Sequence, residues 1–313
     1  MIKEIKSKMT EANFTGVKSI IVSNEFLNNV KDRFDLKLEQ WNTILDEQFI
    51  ISNKLCPNIG LVLNSDDDSQ SHILARTSRD GKQIWPLKED INIIGQFKSK
   101  NKEQTILYHF LNDQKIRLHV IIGKAGSGKT FLVSSYALNC LNTYQSKPRF
   151  KKIVLTRSFD TVGGKNLGAV PGTIDEKFSP YLLNFKSTFD NICGSDTTLI
   201  RLLEETVKIL YLPIELMRGA SFNDSLIVVD EAQNLDFHQT KTIGTRLGEG
   251  SALIFLADLS QIDRKGLKPQ DTGIYHLMHS SLIQNSPLAA SIELVENVRS
   301  DLSNLIDEAF KDT

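Results

Sequence analysis

The sequence predicts an α/β protein built on a doubly wound parallel sheet, preceded by a small N-terminal helical and β-rich module. Three observations carry that expectation. Four compact apolar runs, LHVIIG, KKIVLTRS, SLIVVDEA and ALIFLADL, lie around Val120, Val154, Val228 and Phe255. Rich in β-branched residues and bounded by polar ones, they have the character of strands buried on both faces. Stretches long enough for crossover helices separate them, such as TFLVSSYALNCLNTY after the first run and TLIRLLEETVKIL before the third, as a parallel sheet requires. The first run also leads straight into a glycine-rich octet, Gly123 to Thr130.

The N-terminal residues read differently. Residues 1–54 form a partly helical segment, polar and charged between residues 25 and 48. In residues 55–95, GLVLNS, HILART and KQIWPL read as three short strands separated by turn-forming SDDDSQ and SRDG, a small β-rich connector. A boundary near Gly95 leaves 96–313 for the main domain. The triplet Asp66-Asp67-Asp68 reads as a solvated turn rather than a metal site. At the other end, SIELVENV reads as strand-like and DLSNLIDEAF as an amphipathic helix.

Composition narrows the classes. A chain of 313 residues with 40% hydrophobic and 24% charged residues and a mean hydropathy of −0.20 is that of a globular protein. No run approaches the roughly 20 apolar residues that cross a bilayer, and the N-terminus lacks the apolar core of a secretory signal. A cytoplasmic protein without membrane association is expected. Cys56, Cys140 and Cys193 are odd in number and lack metal-ligand spacing, so they read as free thiols. A formal net charge of −1 gives no global case for nucleic acid, which would need a local basic groove.

The octet Gly123-Lys124-Ala125-Gly126-Ser127-Gly128-Lys129-Thr130 fits the P-loop pattern, flanked by a strand and an apolar helix as that pattern demands. Glycines let backbone N–H groups turn onto phosphate oxygens, and the positive end of the following helix points at the same charge. Lys129 is expected to bridge the β- and γ-phosphates of ATP, and the Thr130 hydroxyl to ligate Mg²⁺. A hundred residues on, Leu226 to Val229 lead into Asp230-Glu231-Ala232-Gln233. A strand ending in paired acids is the Walker B arrangement, with Asp230 holding the metal shell and Glu231 polarising the attacking water. A base for water favours a hydrolase over a kinase. The next strand runs into Asp258-Leu259-Ser260-Gln261-Ile262-Asp263, placing Asp258 and Gln261 at the carboxyl edge of the sheet. Gln261 is there either a γ-phosphate sensor or a turn glutamine bonded to backbone.

In its ordered run of motifs the chain resembles the PhoH family of ATPases, relatives of the superfamily 1 helicase core. The matching segments are Asn101-Lys102-Glu103-Gln104, GKAGSGKT, LTRS (155–158), LGAVPGTIDEKFSPYL (167–182), MRGASFNDSLIVVDEAQN (217–234), TRLGEGS (245–251) and DLSQID (258–263). The resemblance implies adenine recognition by Gln104, which otherwise reads as a helix-surface glutamine. It places Arg157 and Arg246 in motifs around the phosphates or the nucleic-acid track, where either is otherwise a surface ion-pair partner. It makes Arg299 a candidate for stabilising transition-state charge, in cis or across a subunit interface. Two departures stand out: Ala257 occupies a position usually held by glycine, and Lys124 one usually held by proline or a small residue. The longer proteins of this kind carry a PIN nuclease ahead of the ATPase; here SIIVS (19–23) is followed by Asn24 and Glu25, which do not reproduce its metal-binding acids, and nuclease activity is not expected.

The function expected is therefore ATP hydrolysis stimulated by single-stranded nucleic acid, RNA ahead of DNA, with helicase activity within its scope. A homo-oligomer is expected, a hexameric ring among the forms the resemblance implies. The alternative is a nucleotide-gated assembly or binding module without unwinding activity. No aromatic and basic platform for single strands stands out, Phe150, Lys151 and Lys152 forming only a modest cluster that reads as a solvated loop.

Overall fold

A computed structural model describes residues 15–31, 47–66, 71–94, 97–141, 148–157, 183–194, 198–206, 208–217, 219–298, 305 and 309. The N-terminal part contains β1 (Val17–Val22), α1 (Asn24–Lys31), α2 (Glu47–Ser52), β2 (Gly60–Ser65), β3 (His72–Thr77) and β4 (Ile84–Pro86). The strands form one sheet in the order β1-β2-β3-β4, with β1 parallel to β2 and the rest antiparallel. This sheet crosses residue 54, because β1 comes from the segment before it. Ile20, Val22, Leu61, Leu63 and Ile73 pack with Leu27 and Val30 of α1 into a core of their own.

After a short hairpin of β5 (Asn92–Ile94) and β6 (Phe97–Lys98) comes the main domain. Its elements are α3 (Lys102–Asn112), β7 (Leu118–Gly123), α4 (Lys129–Leu141), β8 (Lys152–Arg157), α5 (Leu183–Cys193), α6 (Thr198–Glu205), β9 (Ile209–Tyr211), α7 (Ile214–Met217), β10 (Ser225–Asp230), α8 (Phe237–Gly244), β11 (Ala252–Ala257), α9 (Gly273–His279), α10 (Ser281–Gln284) and β12 (Ala289–Leu294). Six strands make one parallel sheet in the order β12-β7-β11-β10-β8-β9. β11 thus separates the strand before the P-loop from the strand that ends in acids.

The unbroken apolar runs have a direct cause. Along β10, Leu226 and Val228 face the core beneath α3, α4 and α5, while Ile227 and Val229 face the core beneath α8 and α9. All four are fully buried, and burying each stabilises the fold by about 1.5–3 kcal/mol. Polar residues set where helices begin: Asn101 accepts from the Gln104 N–H at 2.9 Å to cap α3, and Asp236 and Gln239 form a reciprocal capping box on α8.

One segment departs from expectation. TLIRLLEETVKIL is not helical to its end: α6 stops at Glu205, and Ile209–Tyr211 pair with β8 as an edge strand. The β-branched and aromatic end of that stretch completes the sheet instead of extending the helix. Gly95, Asp67 and Asp68, residues 158–182, Arg299, and all but residues 305 and 309 of the C-terminal amphipathic stretch lie outside the described residues. Among those described, no helix is long and apolar enough to cross a membrane.

The two sheets are joined by backbone and by buried charge. Thr15 O accepts from Glu293 N of β12 at 2.7 Å, and Gly16 O accepts from Gly60 N of β2 at 2.8 Å. Gly16 has φ +74°, and a Cβ there would lie 1.7 Å from Ser291 O, so only glycine fits. Arg76, 4% exposed, pairs with Asp113 at 2.6 Å, and Asn58 Nδ2 donates to Ala289 O at 2.9 Å.

His119 of β7 is buried in the same region. Burial, reinforced by the nearby Arg149 cation, pushes its pKa down to about 3. An unfolded histidine titrates near 6.5, so this contribution to stability is whole above that pH and is lost as the pH falls from about 6.5 toward 3. The slope approaches about 1.4 kcal/mol per pH unit. Urea unfolding of the full chain between pH 7 and pH 5 is expected to show falling stability, and His119→Leu to flatten that slope; parallel profiles for the two proteins would refute the assignment.

Candidate functional site

β7 ends at Gly123, the chain turns through Lys124 to Gly128, and α4 begins at Lys129. Gly126 and Gly128 have φ values of +86° and +88°, and a Cβ on Gly128 would sit 2.9 Å from Gln104 Nε2. The loop is held from behind. Gln104 Nε2 donates to Ser127 O at 3.0 Å while its Oε1 accepts from Lys100 N at 2.9 Å, and Val298 N donates to Gly126 O at 3.0 Å. Those carbonyls are thereby tied to neighbours outside the cleft. Ala125, Gly126, Gly128, Lys129 and Thr130 line a cleft of about 290 Å³ with Asn184, Asp230, Glu231, Gln233, Asp258 and Gln261. The Lys129 ammonium folds over the loop onto the carbonyls of Gly123 and Lys124, and Lys124 itself is exposed.

Among the oxygen-bearing side chains that line the cleft are Thr130 at the start of α4 and Asp230 at the end of β10. Asp230 is 5% exposed. Burial first, and the adjacent Glu231 second, raise its pKa, which Arg157 and Asn184 partly offset; Asn184 Nδ2 lies 3.3 Å away. A buried carboxylate disfavoured in its charged form is relieved by a nearby cation. Among the described residues no group of three or more His, Cys, Asp or Glu gathers to form a cage. One hydroxyl and one carboxylate would suit a hard dication that takes its other ligands from phosphate and water.

A continuous hydrogen-bonded chain crosses the cleft floor. Glu231 adopts a left-handed backbone, φ 51° and ψ 38°, and its carboxylate accepts from Arg157 at 2.9 Å on Oε1 and from Gln233 Nε2 at 2.5 Å on Oε2. Gln233 is fully buried; its Nε2 also donates to Gln261 O, and its Oε1 accepts from Asp258 N, both at 3.0 Å. Asp258 in turn accepts from the P-loop amide of Ala125 at 2.8 Å and from Ser260. Gln233 thus ties the carboxyl ends of β10 and β11 together, and Asp258 carries the tie to the P-loop.

Of the residues read from the sequence, Gly123, Lys124, Ala125, Gly126, Ser127, Gly128, Lys129, Thr130, Asp230, Glu231 and Gln261 converge on this cleft or its loop. Gln104 is not a surface residue: it is 4% exposed and braced against the P-loop backbone. Ala257 ends β11 outside the positive-φ region, so a methyl group is tolerated there. Arg246 is not brought to the cleft, which corrects its place among the nucleotide-binding residues of this chain. Its carbonyl accepts from Phe222 N, just before β10 begins, at the amino end of a strand about 20 Å long. Phe150 is a core residue; Lys151 pairs with Asp224 and Lys152 lies over Phe222, also at that end.

Gln233 and Asn184 were not singled out from the sequence. Gln233 carries a signal, since it follows the paired acids by two residues; Asn184 lies on a helix with no local motif. Also unmarked is a basic and aromatic pair at the end of β9, the strand next to β8, in which Lys186 Nζ stands 5.1 Å from the centre of the Tyr211 ring.

With this geometry in hand, comparison with known proteins adds a family. A profile described as PhoH-like protein matches residues 96–311. Protein PhoH2 of Bacillus subtilis (strain 168) is 32% identical over 243 residues, covering 76% of this chain and 51% of that protein. Protein PhoH2 of Thermobispora bispora is 26% identical over 305 residues, covering 96% and 64%. A PhoH-like protein of Bacillus subtilis (strain 168) is 40% identical over 148 residues, covering 47% and 44%. The chain spans about half the length of the first two PhoH2 relatives it matches. Among solved structures, the helicase domain of Pyrococcus furiosus Hef aligns with a TM-score of 0.34 at 16% identity, over 62% of this chain and 38% of the other. Pif1 helicase from Candida albicans aligns with 0.31 at 15%, over 67% and 42%. Likenesses this slight say nothing of function.

Replacing Gln233 by Leu leaves the buried Asp258 N–H without its partner, at about 1–3 kcal/mol, and also removes the donor to Glu231 Oε2 and Gln261 O. Gln233→Leu is expected to unfold at markedly lower denaturant than the parent chain; an unchanged midpoint would mean that the network contributes nothing.

Proposed function

The chain belongs to the PhoH family and is a P-loop NTPase, and from that premise we propose that it hydrolyses ATP under stimulation by single-stranded nucleic acid. The observation that carries the reading is a carboxylate, Glu231, lining the same cleft as Lys129, Thr130 and Asp230. A nucleotide-binding loop alone names a ligand; a carboxylate beside it supplies a base for water.

In this reading the loop amides and the start of α4 receive the β- and γ-phosphates, and the Lys129 ammonium moves from its loop carbonyls onto their oxygens. Thr130 and Asp230 would hold Mg²⁺, which would neutralise phosphate charge. Glu231 takes a proton from water. The water oxygen forms a bond to the γ-phosphorus as the bond to the β–γ bridging oxygen breaks, releasing ADP and phosphate. Gln261, which also lines the cleft, reads the γ-phosphate in this scheme. The partner proposed is single-stranded RNA ahead of DNA, and the working form a homo-oligomer; a basic and aromatic set at the carboxyl ends of β8 and β9 supports a strand-binding surface there.

Phosphate release by the full chain, measured with and without single-stranded RNA or DNA, tests the reading. Turnover is expected to rise with a strand, and Lys129→Ala to lower it by about a hundredfold or more, the scale of losing a charge-stabilising donor. Near-normal hydrolysis by Lys129→Ala would refute the site. Hydrolysis that neither strand stimulates would favour nucleotide-gated assembly instead.

A further inference from the structure

The catalytic glutamate of the proposed reaction is already engaged. Its Oε1 accepts from Arg157 at 2.9 Å and its Oε2 from Gln233 at 2.5 Å. The two contacts differ in kind. Gln233 is fully buried and bonded at both ends of its amide, so it is a fixed support. Arg157 is the last residue of β8, and its side chain is 28% exposed. An ion pair with that much water beside it is weak and open to competition from a stronger anion.

The direction of that competition follows from the strand order. Glu231 lines the phosphate cleft and Arg157 does not. Arg157 stands behind the glutamate on β8, on the side of β10 away from the P-loop strand. Next to β8 lies β9, where Tyr211 pairs in register with Leu155. There Lys186 of α5 stands over the Tyr211 ring, whose hydroxyl donates to Glu204 at 2.9 Å. Arg157 at the end of β8, and Tyr211 at the end of β9 with Lys186 over its ring, are all absent from the lining of the nucleotide cleft. A guanidinium is a strong partner for a phosphodiester oxygen, and the ammonium and phenol at the end of the next strand add a charge and a ring to the same edge.

We propose that Arg157 is a gate on Glu231. In the absence of a strand its guanidinium occupies the Glu231 oxygen needed to orient water. When single-stranded nucleic acid lies across the ends of β8 and β9, a backbone phosphate takes the guanidinium and frees that oxygen. The proposal rests on the hydrolysis reading above and assigns its regulation. Arg157 is in this sense a positioning residue that acts through Glu231, and the strand is sensed by charge, so RNA and DNA both qualify as sources of the phosphodiester.

The test compares the full wild-type chain with Arg157→Gln, which removes the charge, and Arg157→Lys, which keeps it. Phosphate release is measured alone, with poly(U) RNA and with poly(dT); binding of labelled poly(U) and of a fluorescent ATP analogue is measured separately, with thermal melting to report folding. Arg157→Gln is expected to raise the strand-free rate about two- to fivefold, the scale of a partly exposed ion pair, and to lose stimulation by either polymer. Its salt dependence of poly(U) binding should fall by about one phosphate contact, while analogue affinity holds. Arg157→Lys should bring the raised rate back toward wild type. If Arg157→Gln does not fold, Arg157→Lys carries the test through a higher half-stimulating poly(U) concentration. A wild type that responds to strands beside an Arg157→Gln with an unraised rate and intact stimulation would overturn the gate alone. Rates in both proteins no higher than Lys129→Ala would overturn the hydrolysis reading and the gate with it.

Discussion

The parallel register of β7, β11 and β10 is the constraint on which the cleft depends. Ala257 lies level with Ile122, and Phe255 with Val229, so Asp258 comes level with Gly123, and Asp230 with Leu256 two residues before it, all at the carboxyl edge. A slip of one residue would move a strand end by about 3.3 Å and turn its side chains to the other face. That would separate Asp258 from the Ala125 amide and Gln233 from Asp258 N–H. Burial on both faces guards the register, since a one-residue slip would also exchange the residues of two separate cores. The apolar content of four short runs therefore determines where a carboxylate stands relative to a phosphate loop.

Much of this was legible in the sequence, for a physical reason. Strands buried on both faces must be apolar throughout, which is why β7, β8, β10 and β11 stand out. The phosphate loop is legible because backbone conformations such as those of Gly126 and Gly128 restrict the residue types allowed. β9 was hidden because three residues at a sheet edge carry too little pattern to be told from the end of an amphipathic helix. Gln104 was ambiguous because its sequence neighbours say nothing of Ser127, more than twenty positions away, to which it is bonded. Arg246 was misplaced because a motif shared among relatives fixes its order along the chain and not the end of the sheet it occupies.

The cleft also shows how polar groups are accommodated in a tightly packed interior. Gln233 is buried without penalty because its carbonyl and its amide nitrogen are both bonded. Glu231, by contrast, holds a backbone conformation uncommon for a residue with a side chain. The strain falls on the residue proposed to do the chemistry, while its support is relaxed and saturated.

Strand β12 has a position whose importance is mechanical. Glu293 near its end is bonded to Thr15 of the N-terminal segment. One residue later Leu294 O lies so close to Gly123 that a Cβ there would approach it to 2.7 Å, and four further on Val298 N holds the carbonyl of Gly126. The N-terminal sheet and the phosphate loop thus hang on the same few residues of backbone, as two loads on one short beam. This backbone link between the N-terminal sheet and the P-loop bypasses Asp230 and Glu231.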